Sequence, residues 1–194
     1  MFPLRVDQLL YAYSHGIFPM ADEDGTIFWF DPDPRAILPL DSFHVSRRLA
    51  RTVRQGVYEI RVDTVFAEVI KACAAPAPGR ERTWISDEII AAYTQLYRLG
   101  YAHSVEAWQG GKLVGGLYGV TINSFFAGES MFSRERDASK VALVHLVRRL
   151  AERGFRLLDV QFITDHLRHF GAVEIPRQGY KLLLAQALQE TNHF

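Results

Sequence analysis

The stretch 103–132 constrains this chain more than any other. Three runs with strand character are separated by two turn signals, Gly110-Gly111 and Asn123-Ser124. Short turns of this type match the twist of paired strands, so each predicts a hairpin. The spacing predicts strands over 103–108, 113–122 and 125–132, joined as an antiparallel meander. A helix follows, because Leu143, Leu146, Val147 and Leu150 recur at helical spacing and Gly154 stands beyond their end. A further strand is expected over 155–162.

Ahead of the meander the signals are mostly helical. A short helix over 7–14 is ended by Gly16 and Pro19. Asp31-Pro32-Asp33-Pro34 is the clearest break, because two prolines so close fit no regular element and each restricts the residue before it. It predicts a boundary between a small N-terminal subdomain, 1–34, and a main domain, 35–194. Within the latter, 45–55 reads as a helix with Ser46 as its cap, and 58–62 as a strand. Asp63-Thr64 opens a helix with Phe66, Val69 and Ile70 on one face. A loop with Pro76, Pro78 and Gly79, expected to be mobile, precedes a helix capped at Ser86-Asp87-Glu88 and stopped by Gly100. After 155–162, Thr164 caps a short helix ending at Gly171. A short strand near Val173 and a last helix close the chain. The pattern is α+β with a mixed sheet and flanking helices, an order compatible with the acetyltransferase-like (GNAT) superfold.

At 194 residues, 48% of them hydrophobic, the chain can bury a sizeable core as one compact unit. Its 22 basic and 22 acidic residues cancel, so any nucleic-acid contact must come from an asymmetric patch. The single cysteine, Cys73, excludes an internal disulfide, fits a reducing compartment and reads as a buried small hydrophobe. No basic start with a long apolar run opens the chain, and no window approaches about 18 uninterrupted apolar residues. A cytoplasmic protein without a membrane span is expected.

Four features carry candidate chemistry. Asp159 and Gln161 are two apart in an apolar strand, hence on one face if it is regular. Burying a carboxylate and an amide costs free energy unless both are hydrogen-bonded, which fits either a structural pair or a functional one. Glu129 sits in the apolar run GESMFSR, as a salt-bridge partner of Arg134 or as a reader of a cationic substrate. The turn 133–140 has no glycine, which argues against a backbone cradle for the pyrophosphate of acetyl-CoA. Arg47, Arg51 and Arg54 share a helix face; such clusters are either solvated faces or phosphate contacts. Trp84, beside the proline-glycine loop, is a candidate for stacking on a base. There is no G-x-S-x-G elbow, Walker loop, dinucleotide fingerprint or zinc spacing, and His166 and His169 alone do not make a metal site. No metal or cofactor is indicated.

Ordered motifs then resemble a known family across nearly the whole chain. Gly16-Ile17-Phe18-Pro19, Pro32-Asp33-Pro34-Arg35, Thr83-Trp84-Ile85, LVGGLYGV (113–120), GESMFSR (128–134), Asp159-Val160-Gln161 and 171–177 match leucyl/phenylalanyl-tRNA–protein transferases. The resemblance implies an enzyme that moves Leu or Phe from aminoacyl-tRNA to the N-terminal Arg or Lys of a protein. The product would be tagged for N-end-rule degradation. It implies Asp159 and Gln161 as the catalytic pair, the Gln161 carbonyl accepting from the attacking amine and Asp159 polarising that amide. It implies Glu129 as the acid that holds the cationic acceptor, and Tyr13, Trp84 and Tyr93 near the terminal adenosine. Leu117, Phe126, Leu146 and Leu158 would form the pocket for the donor side chain. Compared with longer members, both ends are expected to be short, and Met20 stands where some carry a tryptophan. Two rivals predict different chemistry: a GNAT-type acetyltransferase using acetyl-CoA, and a non-catalytic tRNA-binding module.

Overall fold

The structure is a computed structural model that describes residues 4–77 and 81–194. α1 (Val6–Ser14) leads into a hairpin of β1 (Phe18–Ala21) and β2 (Ile27–Phe30). β3 (Arg35–Ile37) follows the proline break, then α2 (Arg47–Arg54), β4 (Glu59–Val62), α3 (Phe66–Ala74) and α4 (Asp87–Arg98). The meander is β5 (Ala102–Gln109), β6 (Lys112–Ile122) and β7 (Phe125–Ser133). α5 (Ala138–Glu152), β8 (Leu157–Gln161), α6 (Asp165–Arg168), β9 (Val173–Ile175) and α7 (Arg177–Ala187) complete the chain. The expected helices and meander are present. The hairpin and β3 were not signalled, since each strand is only three or four residues long. Of the proline-glycine loop, Pro78 and Gly79 lie outside the described residues.

Seven strands form one sheet in the order β4-β5-β6-β7-β8-β3-β9, and only the β7–β8 pair is parallel. This is the expected mixed α+β sheet with flanking helices. The parallel pairing is brief: Phe125–Ala127 face Leu157–Asp159, and beyond them the strands carry no further paired residues. The sheet therefore opens between the later part of β7 and the end of β8.

Each face has its own apolar cluster. α1, α3, α4 and α7 cover one side through Leu9, Ile70, Ile89 and Leu184. α2 and α5 cover the other through Leu49, Val144, Leu146 and Leu150. Leu9, Tyr13 and Phe18 share the first cluster with α3 and α4, so the N-terminal piece packs into the same core. Two glycines of LVGGLYGV permit close approach. A Cβ on Gly115 would lie 2.6 Å from the Ala138 Cβ at the start of α5. One on Gly119 would lie 2.3 Å from the Ala127 carbonyl oxygen.

One cap differs from expectation. Ser46, Ser86 and Thr164 cap their helices as predicted. Asp63-Thr64 does not cap α3, which has no side-chain cap; Glu106 of β5 instead accepts the N–H groups of Thr64 and Val65, just ahead of the helix, at 2.9 and 3.0 Å. Asp63 instead accepts the Ser104 N–H at 2.8 Å and pairs with His103 at 2.7 Å. Among the described residues, no helix is long and apolar enough to cross a membrane.

Candidate active site

Asp159 is fully buried in the middle of β8 and saturated with donors. Arg35, on neighbouring β3, grips it with Nε at 2.9 Å and Nη2 at 2.6 Å. The Tyr180 hydroxyl of α7 donates to it at 2.9 Å, and so does the Gln161 backbone N–H. Arg35 is itself fully buried, donates Nη1 to the Gly16 carbonyl at 2.8 Å and stacks between Phe18 and Tyr180. Burial acts to lower the Arg35 pKa, but the bonds and charge of Asp159 outweigh it and hold the value above the ordinary one. The pairing offsets the several kcal/mol that an isolated charge would cost in the interior.

The backbone after Asp159 is not a regular strand. Gln161 has φ +58°, rare for a residue with a side chain, and Phe162 N–H closes a three-residue turn onto the Val160 carbonyl at 2.7 Å. The strict alternation expected of 155–162 therefore fails at its end. Gln161 lines a cavity in the sheet opening, whereas Asp159 lies beneath it and does not.

Glu129 reaches the same place by a second irregularity. In the β6–β7 register Gly119 opposes Gly128 and Tyr118 opposes Ser130, leaving Glu129 as the extra residue of a bulge. Bulges re-aim side chains, and this one turns Glu129 toward Gln161. Its carboxylate accepts the Tyr13 hydroxyl at 2.7 Å and the Gln161 amide Nε2 at 3.2 Å. Two expectations are thereby corrected. Arg134 is not the partner of Glu129, because its guanidinium donates to the Leu113 carbonyl at 3.0 Å. Asp159 does not touch the Gln161 carboxamide; Glu129 holds that amide, and Asp159 holds the backbone behind it. Burial pushes the Glu129 pKa up to about 8, against the Tyr13 hydrogen bond, with Asp159 adding and Arg35 subtracting. Tyr13 and Tyr93 contact through their hydroxyls, and both are raised well above the usual phenol range, first by burial and then by the Glu129 charge.

The cavity measures about 310 Å³, near the lower end of small-molecule sites. Leu117, Leu146 and Leu158 line it, as expected, together with Met131, Leu143 and Val160. Leu158 reaches it from the face of β8 opposite Asp159, at a position still paired with Phe126 of β7. Phe18, Met20 and Trp84 line it as well, on the side of the hairpin and of the loop before α4. Phe126 is absent from the lining: it is fully buried beside Phe194, with ring centroids 5.4 Å apart. Tyr13 and Tyr93, expected near the substrate, are likewise buried edge to face and neither is in the wall. Arg47, Arg51 and Arg54 are exposed on α2, outside the cavity. Sequence reasoning passed over Arg35 and Tyr180 as functional residues. An arginine in the short apolar run that follows the prolines was the available signal, since a buried arginine demands a buried acid.

A family model described as leucyl/phenylalanyl-tRNA protein transferase matches residues 37–185, and one for that family's N-terminal domain matches 3–33. A leucyl/phenylalanyl-tRNA–protein transferase of Herpetosiphon aurantiacus is 62% identical over 182 residues, 93% of each chain. One from Rhodopseudomonas palustris is 59% identical over 93% of this chain and 79% of its own. Among solved structures, L-PGS from Bacillus licheniformis aligns with a TM-score of 0.50 at 10% identity, over 96% of this chain and 71% of that one. That likeness concerns the fold alone.

Proposed function

The chain belongs to the leucyl/phenylalanyl-tRNA–protein transferase family, an aminoacyltransferase acting on an aminoacyl-tRNA and a protein, and from this premise we infer how its site works. The donor amino acid is Leu or Phe, seated against Leu117, Leu146 and Leu158. The acceptor is a protein whose first residue is Arg or Lys. Its neutral α-amine attacks the ester carbonyl carbon that joins the amino acid to the terminal ribose. A C–N bond forms, the C–O bond to the ribose breaks, and the amine's proton ends on the departing ribose oxygen.

An ester is already activated, so positioning and proton handling supply much of the acceleration. The observation that carries this reading is the double anchorage of Gln161 on the wall of an apolar cavity. Its backbone N–H is held by Asp159 and its side-chain nitrogen by Glu129. With the nitrogen committed, the carbonyl oxygen is the end that accepts a hydrogen bond from the attacking amine. Asp159 is then a positioning residue, and Glu129 both orients the amide and attracts the cationic acceptor side chain. A cation near Glu129 favours its ionised form, so acceptor binding and loss of that proton support each other. Trp84, on the cavity wall, suits the terminal adenosine, Tyr13 and Tyr93 lie behind Glu129, and Arg47, Arg51 and Arg54 suit RNA phosphates. Residues 1–34 act as the subdomain that completes the cavity rim of the domain 35–194. We place the activity in the cytoplasm, where its product enters N-end-rule degradation.

The test is incubation with radiolabelled Leu-tRNA or Phe-tRNA and peptides beginning with Arg, Lys or Ala. Label should enter the Arg and Lys peptides only. Label entering none of them, or the Ala peptide equally, would refute the assignment.

A further inference from the structure

A second cavity lies across one side chain from the first, and the transfer step makes no use of it. It measures about 420 Å³ and is lined by His44, Ser46, Arg48, Lys140 and His169, contributed by the segment entering α2, by α5 and by the residues around α6. His166 lines both cavities, so a single imidazole forms part of the wall between them. No acidic residue lines the second one. Asp137, beside it, pairs with Lys140 at 2.9 Å, Arg48 at 3.3 Å and Arg136 at 3.9 Å. One carboxylate thus faces three cations, two of which line the cavity.

Two further observations concern His166, half-buried in a groove whose His44, Ser46, Arg48 and His169 are exposed. His166 is held below the ordinary histidine range by burial and then by the charges of Lys140 and His169, with Asp137 opposing. Its Nε2 is buried without a hydrogen-bond partner among the described residues. A buried polar atom left unpaired costs about 1–3 kcal/mol.

We propose that this cavity binds a phosphate group through Arg48, Lys140, His44 and His169, with the Ser46 hydroxyl as a further donor. Donors arriving from several directions suit a tetrahedral oxyanion with three or more acceptor oxygens. The phosphate comes either from the donor RNA backbone or from a free phosphate ester, and binding next to His166 couples its occupancy to the donor cavity. The RNA source rests on the function inferred above; the binding site itself does not.

Titration calorimetry of the full chain with inorganic pyrophosphate tests the site directly. The wild type should bind, and Lys140→Ala and Arg48→Ala should each weaken binding about tenfold with unchanged melting temperature. Lys140→Arg should retain binding, which keeps the test decisive if an alanine variant folds poorly. Transfer kinetics then separate the sources, comparing aminoacyl-tRNA with an aminoacyl-adenosine that carries no phosphate. A KM raised about tenfold for aminoacyl-tRNA in Lys140→Ala, unchanged for aminoacyl-adenosine, assigns the phosphate to the donor RNA. Unchanged KM for both, with pyrophosphate binding lost, assigns it to a free phosphate ester. No pyrophosphate binding by the wild type together with an unchanged KM for aminoacyl-tRNA overturns the proposal. Equal losses with both donors overturn it too. Absence of wild-type transfer from either donor would instead count against the inferred function and leave the calorimetric result standing.

Discussion

Replacing Arg35 with Met tests whether the site rests on a buried ion pair. The two side chains are 1% and 0% exposed and 2.6 Å apart, so solvent cannot screen what is lost. Asp159 would keep the Tyr180 hydroxyl and the Gln161 N–H but lose both guanidinium bonds, and the Gly16 carbonyl would lose its donor. Removing one partner of such a pair costs about 3–5 kcal/mol, against a total stability of about 5–15 kcal/mol. For a chain of this size that is a fall in melting temperature of roughly 6–20 °C. The double variant Arg35→Met/Asp159→Leu removes both charges, and its cost should fall well below the sum of the single costs. Transfer activity should not return with stability, because the double variant still lacks the acceptor for the Gln161 N–H. Differential scanning calorimetry and urea titration measure the first part, and labelled transfer measures the second. A cost for Arg35→Met below about 1 kcal/mol, or additive costs in the double variant, would refute the ion-pair argument. Recovery of transfer in the double variant would refute the anchoring role of Asp159.

Three other outcomes are expected. Gln161→Gly removes the carboxamide and relieves a left-handed backbone, so transfer should fall at least a hundredfold while melting temperature holds or rises, and a parallel loss of both would contradict the assigned role. Glu129 carries a folded-state pKa raised from 4.5 to about 8, so the folded chain binds more protons than the unfolded one between those values and stability must decline as pH rises through that window. Glu129→Gln should flatten this pH dependence of the melting temperature, and a profile identical to wild type would locate the effect elsewhere. Replacing Arg47, Arg51 and Arg54 together should weaken tRNA affinity and reduce the slope of log K against log salt by up to about three, as measured by filter binding across salt concentrations; an unchanged slope would move the RNA contact off α2.

Much of this architecture is readable in the residues. Turns at Gly110-Gly111 and Asn123-Ser124 announce themselves because turn chemistry is local, and Ser46, Ser86 and Thr164 cap their helices within three residues. Glu106 shows where such reading stops. It holds the backbone leading into α3 from 41 and 42 positions away, a contact that no local window contains. The short strands of the β1–β2 hairpin also carry too few residues for a period to register.

For the candidate site, residue type and order alone determined which groups are present: Asp159, Gln161 and Glu129 in apolar strands, and a family resemblance spanning the chain. The roles were decided only in three dimensions. A left-handed turn at Gln161 and a bulge at Glu129 cancel the two-residue alternation, so the amide meets Glu129 while Asp159 drops behind to meet Arg35. The cavity likewise sits where β7 and β8 part after three paired residues, and packing decided that Leu158 lines it while Phe126 is buried against Phe194. Side-chain chemistry is written along the chain. Which partner satisfies a buried charge depends on where the backbone departs from its regular repeat, and that is a property of the packed sheet.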